Sequence, residues 1–138
     1  MKAFAAVWMV LAVACSAAGG APVSGETPST PQPSASAGVR EVDVGGLKAA
    51  LAGGVTLIDV RTPEEFAAGH VPGAKNVPLD VIGSRIDEVG VAGAEVYVIC
   101  QSGRRSLAAS QTLAAKGLKP INVLGGTAAW KAAGLPTE

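Results

Sequence analysis

Aromatic residues are scarce in this chain of 138 residues, at 4%, with two tryptophans, one tyrosine and two phenylalanines. A core must therefore be built from Val, Ile, Leu and Ala, which suits helices packed on a buried sheet. An excess of either charge is also missing, since 11 basic residues face 11 acidic ones. Without a basic surplus the chain has no electrostatic footprint for nucleic acid, and none is expected as a partner. The two cysteines are too few for a disulfide-stapled scaffold. At this length there is room for one domain, less whatever the ends take up.

The N-terminus reads as an export signal. Lys2 precedes an uncharged apolar run from Ala3 to Ala14 that is too short to span a bilayer comfortably, and small residues follow. Residues 1–14 are expected to be a signal peptide. Leu11-Ala12-Val13-Ala14-Cys15 resembles a bacterial lipobox, which would leave Cys15 as a lipidated first residue, although Leu stands four residues before the cysteine where the pattern prefers three. Cleavage after Ala12-Val13-Ala14 is the alternative. Either way the mature protein is expected outside the cytoplasm, periplasmic or at the cell surface, with a lipid anchor to a bacterial membrane as the preferred reading. Residues 15–38 are rich in Pro, Ser, Ala and Gly, carry no apolar periodicity, and read as a linker. A flexible tether of about 23 residues spans roughly 25–30 Å.

The folded unit is expected over residues 39–138, where strand and helix patterns alternate. "VREVDV" is a short strand, and "GLKAALAGG" a helix with Leu47, Ala50 and Leu51 on one face. "VTLIDV" is a continuous apolar strand. "TPEEFAAGH" is a small helix capped by Thr62, with Pro63 in its first turn and Glu64 and Glu65 at its positive end. "AKNVPL" is a short extended piece, and "DVIGSRIDEV" a helix despite Gly83. "AEVYVIC" is a buried strand, "RRSLAASQTLAAKG" a helix, "KPINVLGG" a strand and "TAAWKAAGLP" a closing helix. The alternation predicts an α/β fold: a parallel sheet of about five strands with helices on both faces. Ligands in such sheets bind at the carboxyl ends of the strands, and Cys100 ends the most apolar strand.

The segment Cys100-Gln101-Ser102-Gly103-Arg104-Arg105 concentrates the chemistry. A helix starting at Arg104 or Arg105 leaves the preceding amides without intrahelical partners. Gly103 lets the chain fold tightly with those amides turned inward, as a cradle at the positive end of a helix. A cysteine in such a place titrates at roughly 3.5–7.5 rather than near ~8.5, and its thiolate is nucleophilic at neutral pH. Inert burial is the competing reading, since a lone Cys in an apolar strand is often plain core. The polar turn that follows at once argues against it. The chemistry also needs a sulfur that is not sealed away from solvent. Arg104 is the residue expected to attract an anionic substrate. Arg105 would brace the loop, bind substrate, or do both.

Residues 39–138 resemble a single-domain rhodanese, a sulfurtransferase, through "LIDVRTPEEFAAGHVPGAKNVPL", "VYVICQSGRRS" and "LGGTAAWKAAGLP" in order. The resemblance implies that Cys100 takes a sulfur atom from thiosulfate or a similar small anion, holds it as a persulfide, and yields it to a thiol or cyanide. Gln101, Ser102, Gly103, Arg104 and Arg105 would bind the donor. No metal or organic cofactor is implied. The six residues from Cys100 to Arg105 are one fewer than in phosphatases and arsenate reductases of similar fold, which favours sulfur over a tetrahedral oxyanion. Those two activities remain alternatives, as does a tethered module without catalysis. Within the domain there is no second cysteine to resolve a persulfide, so sulfur must leave to an external acceptor. In an oxidising compartment a thiolate is at risk of oxidation, and persulfidation or a snug pocket would protect it. A monomer is expected.

Other residues receive structural readings. Asp59 and Arg61 are expected to be a buried ion pair or loop anchor in preference to a share of the site, and His70 part of a structural turn in preference to a general base. Trp130 is a core or sheet-edge aromatic. Gly125 and Gly126 permit close backbone approach near the loop.

Overall fold

A computed structural model of the chain describes residues 38–138. The stretch expected to be a signal peptide, Cys15 and nearly all of the expected linker lie outside the described residues. The elements follow in the order β1 Arg40–Val42, α1 Val44–Ala52, β2 Leu57–Asp59, α2 Pro63–Ala67, β3 Lys75–Asn76, α3 Ile86–Val89, β4 Glu95–Ile99, α4 Arg104–Ala115, β5 Lys119–Val123 and α5 Gly126–Ala132. The five strands form one sheet in the order β1-β5-β4-β2-β3, and every neighbouring pair is parallel. All strands therefore end on the same edge, where the loops after β2, β4 and β5 meet.

Alternation along the strands divides the core into two layers. Val96, Val98 and Cys100 point to one face with Ile58, Val60, Ile82, Ala109 and Leu113. Ile99 points to the other with Leu47, Leu57, Val71, Val123 and Trp130. Helix α4 thus covers one side and α1 with α5 the other. Each fully buried Leu, Ile or Val contributes about 1.5–3 kcal/mol, so both layers are needed to fix the sheet. The pleat explains why Cys100 turns toward α4: it lies an even number of residues from Val96 and Val98.

Local chemistry starts and stops the helices. Asp43 caps α1 by accepting the amide of Gly46 at 2.7 Å; the residue is read above as part of the first strand. Thr62 and Glu65 cap α2 reciprocally, the Thr62 Oγ1 accepting from the Glu65 amide and the Glu65 carboxylate from the Thr62 amide. One expected helix is corrected. "DVIGSRIDEV" does not form a single helix: residues 80–84 are turns, and only Ile86–Val89 is helical. Val81 organises the turns, its carbonyl accepting from the amides of Ser84 and Arg85 and from the Ser84 hydroxyl. No side chain caps α3 at Arg85, and Arg85 is spent instead on an ion pair with Glu88.

Candidate active site

Cys100 follows directly on β4. Gly103, with φ 95°, begins the turn into α4 and supplies no capping side chain. Its amide donates to Cys100 Sγ at 3.1 Å. The Ser106 Oγ lies 3.4 Å from the same sulfur. Burial pushes the thiol up and is the largest single influence on it. The Ser106 hydroxyl and the amides of Ser106, Ser102 and Gly103 oppose burial and together outweigh it, so the thiol is held below its ordinary value. Main-chain dipoles favour the thiolate, and the Ser106 hydroxyl adds to them when its hydrogen points at the sulfur; among the described residues no cation is hydrogen-bonded to Sγ.

Helix α5 holds the loop from below. The Thr127 amide donates to the Cys100 carbonyl at 2.8 Å, and the Ala128 amide to the Gln101 carbonyl at 3.1 Å. Thr127 Oγ1 reaches both the Cys100 carbonyl and Gln101 Oε1. With those carbonyls engaged by α5, the following amides are free to turn toward the sulfur. This approach requires Gly126: its φ is 57°, and an added Cβ would lie 2.2 Å from the Cys100 carbonyl oxygen. Gly125 is likewise left-handed, at φ 72°.

The two arginines of the loop part ways. Arg104 is exposed and has no ion pair among the described residues. Arg105 reaches across to α2 and binds Glu65 bidentately, with both N···O distances 2.7 Å. The Arg105 hydrogen bonds hold the Glu65 carboxyl down at about 2. The geometry makes Arg105 a brace for the loop. Glu65 therefore does more than the helix-terminal role read from sequence: it caps α2 and ties α2 to the start of α4.

Asp59 and Arg61 are both buried and form a bidentate pair, with the shortest contact 2.7 Å. Arg61 also donates to the Gly69 carbonyl, and the Asn76 amide to the carbonyls of Asp59 and Arg61. The pair anchors the loop after β2. The His70 Nδ1 lies 3.0 Å from the Phe66 carbonyl and its ring stacks on Phe66. Since a carbonyl only accepts, Nδ1 carries the hydrogen. Trp130 is buried and donates from Nε1 to the Pro136 carbonyl. Among the described residues no group of His, Cys, Asp and Glu is placed to hold a metal ion.

One requirement read from sequence is not met in this conformation. Cys100 is 0% exposed, so the sulfur is sealed while its loop neighbours Gln101, Ser102 and Arg104 are exposed. The turn at Gly103 brings its amide to the sulfur, and the side chain lies within the buried layer beneath α4. Three functional neighbours also escaped sequence reasoning: Ser106, Asn122 and Thr127. Ser106, on the first turn of α4, stood close enough in sequence to be found; Asn122 and Thr127 carried no local signal.

Fold and site together define a class: a parallel α/β domain with a cysteine-centred loop at the carboxyl edge of its sheet. A profile for the rhodanese-like domain matches residues 43–133. A protein of Allochromatium vinosum named as a sulfurtransferase is 38% identical over 101 residues, covering 71% of this chain and 94% of its own. Thiosulfate sulfurtransferase 16 of Arabidopsis thaliana, a chloroplast protein, is 36% identical over 104 residues, covering 64% of this chain and 83% of its own. The match to YrkF of Bacillus subtilis is 39% over 77 residues and takes in 55% of this chain but only 41% of YrkF. Among solved structures, a rhodanese-related protein of Thermoplasma volcanium superposes with TM-score 0.65 at 28% identity, over 71% of this chain and 96% of that one. The chain belongs to the rhodanese-like family.

Proposed function

We propose that this protein is a sulfurtransferase that carries sulfane sulfur on Cys100. The observation that carries the reading is the depressed thiol at the end of β4, held by the Gly103 amide at 3.1 Å in a loop that α5 anchors from beneath. The names of the Allochromatium and Arabidopsis relatives support sulfur transfer as the reaction class.

In the first half-reaction the Cys100 thiolate attacks the outer sulfur of thiosulfate or a similar donor. The donor S–S bond breaks, sulfite leaves with its electron pair, and Cys100 becomes a persulfide. In the second, an acceptor thiolate or cyanide attacks the outer sulfur, and Cys100 leaves as thiolate. Loop amides hold the negative charge at each stage. Arg104, exposed and free of ion pairs among the described residues, draws the anionic donor. Arg105 is committed to Glu65 and fixes the loop's shape. Because the sulfur is covered at rest, the segment Gln101–Arg104 must open to admit a donor, and the cover shields the thiol from oxidants between cycles. Export, with lipid attached at Cys15, is part of the same proposal, and the mass of the N-terminal peptide from cell-grown protein tests it.

Intact-mass measurement after incubation with thiosulfate tests the core of the reading. The parent chain gains one sulfur atom and loses it on adding cyanide. Cys100→Ser stays folded, gains none, and loses turnover by at least about a thousandfold, because a neutral hydroxyl is a poor nucleophile. An unmodified parent chain, or a serine variant that still turns over, overturns the proposal. Cys100-dependent hydrolysis of an aryl phosphate would point to phosphatase chemistry instead.

A further inference from the structure

Ser106 has a single hydroxyl hydrogen and two acceptors within reach. Asn122 Oδ1 lies at 2.6 Å and Cys100 Sγ at 3.4 Å. Ser106 and Asn122 are 0% and 1% exposed, so bulk solvent does not compete. The shorter contact is to the better acceptor, since a neutral thiol sulfur accepts only weakly. Asn122 is held in this orientation from behind. Its Nδ2 donates to Glu41 Oε1 at 3.1 Å, and a carboxylate can only accept, so the amide oxygen must face Ser106. The sheet register makes the chain of contacts: Glu41 lies opposite Asn122 across β1 and β5, and Asn122 opposite Val98 across β5 and β4.

We infer that Glu41 and Asn122 are positioning residues that withhold the Ser106 hydroxyl hydrogen from Cys100. With the hydrogen on Asn122, Ser106 turns an oxygen lone pair to the sulfur, which suits a thiol S–H and not a thiolate. Ionising the sulfur sends its proton to solvent and requires the hydroxyl to rotate from Asn122 to Sγ. The fraction of reactive thiolate is thereby set partly from β1, a strand that contributes nothing to the loop. The other charged group that acts on the sulfur is Arg105 of α4, paired with Glu65 of α2; Asp59 at the end of β2 acts on Arg105 and is itself paired with Arg61. Arg104 is exposed, and α5 adds amides and Thr127 but no charge at the loop.

The inference takes its functional meaning from Cys100 as sulfur carrier, but its test reads protonation and not turnover. The full chain is alkylated with iodoacetamide across a pH series, and modification is read by mass on the peptide holding Cys100. Asn122→Ala frees the hydroxyl for the thiolate and moves the midpoint down by about one pH unit, which is about tenfold more thiolate below the midpoint. Glu41→Gln, which no longer fixes the Asn122 amide, moves it down by less. Ser106→Ala moves it up, and in that background Asn122→Ala has no further effect. A merely loosened core would instead let the midpoint drift up toward that of an ordinary cysteine, ~8.5, so the direction separates the two roles. The inference is overturned if Asn122→Ala moves the midpoint up or leaves it in place, or if its effect survives without Ser106. Should Asn122→Ala fail to fold, Glu41→Gln at the half-buried sheet edge decides alone, and an unmoved midpoint there is equally fatal. Loss of sulfur transfer with these shifts intact would sink the proposed function and leave this inference standing.

Discussion

Glu65 serves two structures at once. It closes the capping box of α2 and receives both arms of Arg105 from the start of α4. Arg105 is the first cause of its low value, about 2 against the ordinary 4.5. A carboxylate favoured in the folded state stabilises the fold fully above its unfolded value, and the contribution is lost as pH falls from near 5 toward 2. Both side chains are over a third exposed, Glu65 at 35% and Arg105 at 38%. Solvent screening therefore discounts the pair to about 1 kcal/mol. Glu65→Gln should lower stability by about that much at pH 7, with the gap to the parent narrowing between pH 5 and 3. Urea midpoints at those pH values check it, and a constant gap would mean that the cap, not the ion pair, carries the loss. At this scale the sequence was readable where the signal was local. Thr62 and Pro63 announce a helix start, and the glycine after Cys100 announces a turn. The Glu65–Arg105 pair spans 40 positions, and nothing near either residue announces the other.

Among the elements, α5 matters more than its seven residues promise. Its first amides grip the carbonyls of Cys100 and Gln101, and Gly126 is what lets them approach. Gly126→Ala meets two costs: a side chain at φ 57° and a methyl 2.2 Å from a backbone oxygen that cannot give way. Gly134→Ala, at φ 68° with open space around it, meets only the first. The backbone strain alone is about 1–2 kcal/mol, and overpacking adds about 1–3 kcal/mol. Denaturant titration should therefore rank Gly126→Ala about 1–3 kcal/mol below Gly134→Ala. Equal losses would mean that α5 can retreat from the loop without consequence. Element existence was mostly legible because apolar runs and glycine stops coincide, as in 94–100 and 104–117. The stretch 80–89 misled because Ile82, Ile86 and Val89 recur at helical spacing. Yet Gly83 and the bonds to the Val81 carbonyl make turns there, and the apolar side chains still reach the core.

Across the whole molecule, what sequence could not supply was register. Knowing that β4 and β5 are strands does not say that Asn122 stands opposite Val98, or that Glu41 stands opposite Asn122. Those pairings assemble a buried polar chain behind the sulfur from three strands and a helix. The same packing seals Cys100, and the manner of its exposure decides whether the loop can work. A local opening of Gln101–Arg104 breaks few buried contacts, since three of those four residues are exposed and the two apolar layers flanking the sheet need not part. Local openings expose little surface, so they respond little to denaturant, whereas global unfolding responds with the full surface change. Labelling of Cys100 by a small thiol reagent should proceed under native conditions at a rate nearly flat in dilute urea, rising steeply only near the unfolding transition. A rate that climbs with the full unfolding slope from the first addition of urea would mean that the sulfur is reached only when both layers come apart. A thiol available only in the unfolded chain cannot carry sulfur through repeated turnovers.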